Sequence, residues 1–216
     1  MAHIVLLGDS IFDNAPYVPA GTHVQAQLQA LLAPRDRVSL FARDGAVLAD
    51  VVGQVARLPE LPEAPDWLVV SCGGNDVLGL VGAMQSPVKS VIEAAGLLAD
   101  WQAGFRRDYR RIVNVLLSRR LPLALATIYD GVPGLDAGLR TALAPFNDVI
   151  VREAAAHRLP VLELRLVCDA PGDYSAASPI EPSAQGGAKI AAAIAQLVRE
   201  QATGAPRTVL YGSAAS

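Results

Sequence analysis

Histidine is scarce in this 216-residue chain. The three copies, His3, His23 and His157, lie far apart, and none sits at ligand spacing from a cysteine or acidic cluster, so no metal site and no cofactor are expected. Two cysteines, Cys72 and Cys168, are too few for a disulfide framework. They are read as buried thiols, with an approach of the two near the functional site as the alternative. No apolar run comes near the roughly 18–20 residues needed to span a bilayer, and the N-terminus has no basic stretch followed by a long apolar one. A cytoplasmic protein with no membrane partner is the expectation. A formal net charge of −3 gives no electrostatic reason to expect nucleic acid. Glycine-rich phosphate loops of the dinucleotide or P-loop pattern are also missing.

What the chain does have is apolar content, 52% of its residues, enough to build a large core without disulfides or metals. The pattern predicts a single domain over residues 1–203 with a small polar tail at 204–216. Ile4-Val5-Leu6-Leu7 is too short for a stable helix and reads as a buried strand. Further strands are predicted at Val38–Ala42, Trp67–Cys72, Leu123–Ile128 and Val161–Leu164. Between them, apolar residues recur at helical spacing from Val24, from Val47, from Ser86 through Leu117, over Leu139–His157 and over Ala188–Gln201. Arg106, Arg107, Arg110 and Arg111 fall opposite the apolar stripe of the long helix and read as a solvated face. Five strands alternating with helices imply right-handed crossovers and a parallel sheet covered on both sides, a three-layer α/β/α sandwich.

The strand ends carry the chemistry. The first strand runs into Gly8-Asp9-Ser10, the second into Arg43-Asp44-Gly45, and the third into Gly73-Gly74-Asn75-Asp76. In a parallel sheet all three arrive at one edge, where open α/β folds bind ligands. Ser10 is then a candidate nucleophile for acyl transfer. The N–H groups of Ser10 and Gly45 and the Asn75 amide would be donors for a tetrahedral oxyanion. Each terminus taken alone is also ordinary turn chemistry.

Gly8-Asp9-Ser10, Gly45 and Gly73-Gly74-Asn75-Asp76 resemble, in order and spacing, the first three conserved blocks of the SGNH hydrolases, the GDSL-type esterase/lipase family. The resemblance implies a flavodoxin-like fold, Ser10 as nucleophile, an oxyanion hole completed by Gly45 and Asn75, and Asp9 and Asp76 as loop supports. In the family's fourth block, Asp-x-x-His-Pro-Ser, the histidine is the general base. Here the stretch reads Ser178-Pro179-Ile180-Glu181-Pro182-Ser183, with Glu181 in the place of the histidine and Ser178 in that of the orienting acid.

A free glutamate is a weak base for a serine proton, but burial can raise its pKa to about 6–7. The apolar neighbours Pro179, Ile180 and Pro182 favour that. A carboxylate has no tautomer to fix, so the orienting acid becomes dispensable. Asp169 and Asp173 could raise Glu181 further by like-charge proximity. The leading expectation is a serine esterase acting on small carboxylic esters, and the resemblance implies that the helix faces around Met84–Leu98 line or cover the cleft. The alternatives are a catalytically silent relative binding an acylated or carbohydrate-like ligand, and a hydrolase that uses His23. The oligomeric state is left open.

Overall fold

A computed structural model describes residues 2–201 and 207–212. Its sheet has six parallel strands in the order β2-β1-β3-β4-β5-β6, formed by β1 (His3–Gly8), β2 (Arg37–Leu40), β3 (Trp67–Ser71), β4 (Leu123–Ala126), β5 (Val161–Leu162) and β6 (Leu210–Tyr211). The expected count was five. The sixth strand lies in the stretch read as a tail, where Val161 and Leu162 pair in parallel with Leu210 and Tyr211. The α/β/α reading holds.

Strand side chains alternate across the sheet and both faces are covered, so successive residues of one buried strand enter different cores. Ile4, Leu6 and Val69 pack with the helix α1 (Val24–Leu31) and the last helix, Ala184–Gln201. Val5, Leu7, Leu68 and Val70 pack on the other face with α2 (Leu48–Ala56), the 27-residue helix Val91–Leu117 and the helix Ala137–Ala156. This alternation separates the cysteines. Cys72 follows Leu68 and Val70 into one core, while Cys168 is buried in the other, so the two thiols do not meet.

Four shorter or longer helices complete the chain order: α3 (Gly74–Leu78), α4 (Val81–Met84), α5 (Val91–Leu117) and α6 (Ala137–Ala156), followed by α7 (Leu164–Val167) and α8 (Ala184–Gln201). The helix α8 starts four residues before the expected Ala188 because Gly186 and Gly187 belong to it. A Cβ on Gly186 would lie 2.1 Å from the Asp173 carbonyl oxygen, so the helix packs against that loop only through glycine. On α5, Arg110 does not simply face solvent: its guanidinium donates to the buried Glu153 carboxylate at 2.7 and 3.0 Å, with Arg106 at 3.8 Å. The chain leaves β1 for β2 on one side and then crosses to β3 on the other. The carboxyl ends of β1 and β3 therefore flank the switch point where such sheets form a crevice.

Candidate active site

The turn that presents Ser10 is built by close backbone contact. Gly8 ends β1 beside Ser71 with φ +119°, and a Cβ there would lie 1.6 Å from the Ser71 carbonyl oxygen, so only glycine fits. The Gln54 side chain, reaching from α2, accepts from the Gly8 N–H at 2.7 Å and donates to the Gly8 carbonyl at 2.8 Å. The Asp9 N–H donates to the Ser71 carbonyl at 3.0 Å. Thus β1 delivers Ser10 from a turn held on two sides. The sequence pattern contains no hint of Gln54, whose contact spans 46 residues.

The second and third strand ends are tied to each other. Asn75 Nδ2 donates to the Ala46 carbonyl at 2.8 Å, and Asp76 Oδ2 accepts from the Leu48 N–H at 3.0 Å. Gly45 sits in this loop at φ +76°, exposed, next to the residue that Asn75 holds. An amide NH2 has two donors, so Asn75 keeps one for a ligand. Among the described residues the N–H groups of Ser10 and Gly45 donate no hydrogen bond. Ser10 and Asn75 line the central cavity; Gly45 is not among its lining residues.

Glu181 reaches the same cavity from the segment before α8. Its main chain is clamped residue by residue. The Tyr129 hydroxyl donates to the Ile180 carbonyl, the Ser175 N–H to the Glu181 carbonyl at 2.8 Å, and Asn14 Nδ2 to the Pro182 carbonyl at 3.1 Å. Ser178 closes the turn by accepting the Glu181 N–H at 3.0 Å. Pro182 is buried and Ile180 lines the cavity, whereas Pro179 is exposed and shields nothing.

The Glu181 side chain is buried, and its Oε2 has no hydrogen-bond partner among the described residues. Burial pushes the carboxyl from 4.5 up to about 7; the Ser10 hydroxyl opposes this as a hydrogen-bond donor, and the Asp44 charge adds to it. Asp44, itself bonded by the Tyr17 hydroxyl at 2.6 Å, thus acts on Glu181, and so does Asp9, with which Glu181 shares a mutual repulsion. Asp169 and Asp173 do not. Both bind Lys189, at 3.2 and 2.8 Å, and the buried Asp173 also accepts from Gln185, so their role is to anchor α8.

Asp9 is a second raised acid, next to Ser10. Burial lifts its carboxyl from 3.8 to about 7; the Ile11 N–H and Ser71 hydroxyl lower it and the Glu181 charge raises it. The histidines take no place here. His23 precedes α1 without a capping hydrogen bond from its side chain and does not line the cavity, His3 Nε2 pairs with Ser39 Oγ at 2.9 Å, and His157 ends α6. Among the described residues no group of three or more His, Cys, Asp or Glu side chains could hold a metal ion, and no helix is long and apolar enough to cross a membrane.

The cavity is about 250 Å³ in volume. Its polar end holds Ser10, Asn75, Asp9 and Glu181. The walls are apolar, with Val77, Leu78, Val81 and Met84 on one side and residues of the 128–143 stretch on the other. Such a site offers a hydroxyl facing a carboxylate of near-neutral pKa, the Ser10 N–H and one Asn75 amide hydrogen as donors, and room for an apolar group.

The family model described as "GDSL-like Lipase/Acylhydrolase family" matches residues 6–206. Solved structures of similar fold include a member of the lipolytic G-D-S-L family from Veillonella parvula, with 14% identity, TM-score 0.67, and coverage of 93% of this chain and 97% of that one. An extracellular lipase from Streptomyces rimosus has 17% identity and TM-score 0.63 over 88% and 96% of the two chains. A psychrotrophic esterase from a Pseudoalteromonas species has 13% identity and TM-score 0.66 over 94% and 100%.

Proposed function

Since the chain belongs to the GDSL-like lipase/acylhydrolase family, we propose that it is a serine esterase that hydrolyses small carboxylic esters through an acyl-enzyme on Ser10, with Glu181 as the general base. The observation that carries this reading is the Ser10 hydroxyl facing a buried carboxylate of pKa about 7 at the polar end of an apolar cavity. A base works best when its pKa lies near the working pH. Glu181 meets that condition without a histidine.

In the acylation step Ser10 Oγ bonds to the ester carbonyl carbon while its proton passes to the Glu181 carboxylate. The oxyanion accepts from the N–H groups of Ser10 and Gly45 and from Asn75 Nδ2. As the tetrahedral intermediate collapses, the C–O bond to the alcohol breaks and Glu181 returns the proton to the leaving oxygen. Water then enters, gives a proton to Glu181 and attacks the acyl carbon; Ser10 leaves with that proton. Asp9 and Asp76 act as loop supports. In the usual dyad an acid fixes the orientation of an imidazole, whereas here the hydrogen bonds on the Ile180, Glu181 and Pro182 carbonyls place the base through its backbone. Ser178 needs only to close the turn.

The test is turnover of p-nitrophenyl butanoate by the wild type, Ser10→Ala and Glu181→Gln. Ser10→Ala should fall to background and Glu181→Gln by about 10²–10⁴-fold. Full activity of Glu181→Gln would move the base elsewhere. An inactive wild type would favour a binding protein on a hydrolase fold, for which the apolar walls fit an acylated ligand better than a carbohydrate.

A further inference from the structure

The apolar cavity at Ser10 has a neighbour. A second cavity, of about 420 Å³, is lined by Val88, Leu97, Leu98 and Trp101 together with Ala142. Two side chains, Met84 and Leu139, line both cavities. They differ in how firmly they are held. Leu139 stands in the first turn of α6, which Asp136 caps by accepting from the Gly138 N–H at 2.7 Å and the Leu139 N–H at 3.4 Å. Met84 ends α4, a four-residue helix with no buried residue. A short element with little buried surface opens at low free-energy cost, and an unbranched thioether has three rotatable bonds. Leu139 is therefore the fixed side of the boundary and Met84 the movable one.

We infer that Met84 and Leu139 form a partition that sets acyl-chain length, and that the second cavity receives the distal methylenes of longer chains when the Met84 side chain swings aside. The inference rests on the esterase reading of Ser10. The first cavity alone accommodates a short acyl group against Val77, Val81 and Leu143. A longer group meets the shared wall, beyond which most of the lining is again apolar, with Gln85, Ser86 and Asp136 as its polar members. Each methylene that moves from water into such a wall gains about fourfold in binding. Met84 thus decides whether carbons past the first cavity contribute.

The experiment compares kcat/KM for p-nitrophenyl esters from ethanoate to dodecanoate in the wild type, Met84→Ala, Met84→Trp and the double variant Met84→Ala with Leu98→Trp. Leu98 lines only the second cavity. The decanoate-to-butanoate ratio should rise by about 15-fold in Met84→Ala, the gain from two further methylenes. It should fall in Met84→Trp and return towards the wild-type value in the double variant. Equal ratios throughout would overturn the partition. So would a gain that Leu98→Trp leaves intact, since the first cavity alone would then have grown. Calorimetric binding of methyl butanoate and methyl decanoate to the same variants in a Ser10→Ala background provides a readout independent of turnover. Failure of the esterase reading shows as no turnover with the binding order preserved, and failure of the partition as turnover with unchanged ratios.

Discussion

Glu181→Gln should make the protein more stable near neutral pH while removing its activity. The carboxyl sits at 4.5 when exposed and at about 7 in the folded chain, chiefly because of burial. Between those values the folded state binds more protons than the unfolded one, so this group's contribution to stability declines as pH rises through that window. Above it, the ionised form carries a folding penalty of at most about 3 kcal/mol. Water at the cavity mouth screens part of that, and a glutamine still buries a polar amide. A net gain of about 1–2 kcal/mol is expected, equivalent to about 2–8 °C in Tm for a chain of this size. Urea unfolding of both proteins should show the gain near pH 8 and little difference near pH 4.5. A variant no more stable than the wild type at the higher pH, or a difference independent of pH, would refute the reasoning.

The acid limb of the wild-type kcat/KM profile should lie near pH 7, because the base must be ionised and Glu181 is held at about 7; Asp44→Asn should move the limb to lower pH by removing the like charge. Asn75→Ala should lower kcat by about 10²–10³-fold, as losing one oxyanion donor does, measurable with a single short ester. Gly8→Ala should cost more than about 4 kcal/mol in urea unfolding, since its Cβ has no room beside Ser71 and φ is +119°. Arg110→Ala should lower stability in the same assay, because Glu153, 2% exposed, loses its hydrogen bonds from the guanidinium and is left with Arg106 at 3.8 Å.

Local signals made much of the fold legible. The run Ile4–Leu7 ending at Gly8 could only be a buried strand, and the helical stripes between short strands dictated a parallel sheet. The meeting of Ser10, Asn75 and Glu181 at one cavity follows from the same topology. What the chain hides is long-range. Gln54, Asn14 and Tyr129 clamp the two site loops from distances of 46, 168 and 51 residues, and no periodicity marks a hydrogen bond of that reach. Asp173 looked available to Glu181 until α8 brought Lys189 onto it. The strand β6 is two residues long, too brief for alternation to reveal it. Cys72 and Cys168 were separable in principle: Cys72 shares the parity of Leu68 and Val70, which sends it to the face opposite Cys168.

Activation of Ser10 by Glu181 is tested most directly by covalent labelling with a fluorophosphonate, followed by intact-protein mass spectrometry across pH. One label on Ser10, with a rate that rises through an apparent pKa of about 7 and falls by about a hundredfold or more in Glu181→Gln, is the predicted result. Labelling at the same rate and with the same pH dependence in Glu181→Gln would contradict it.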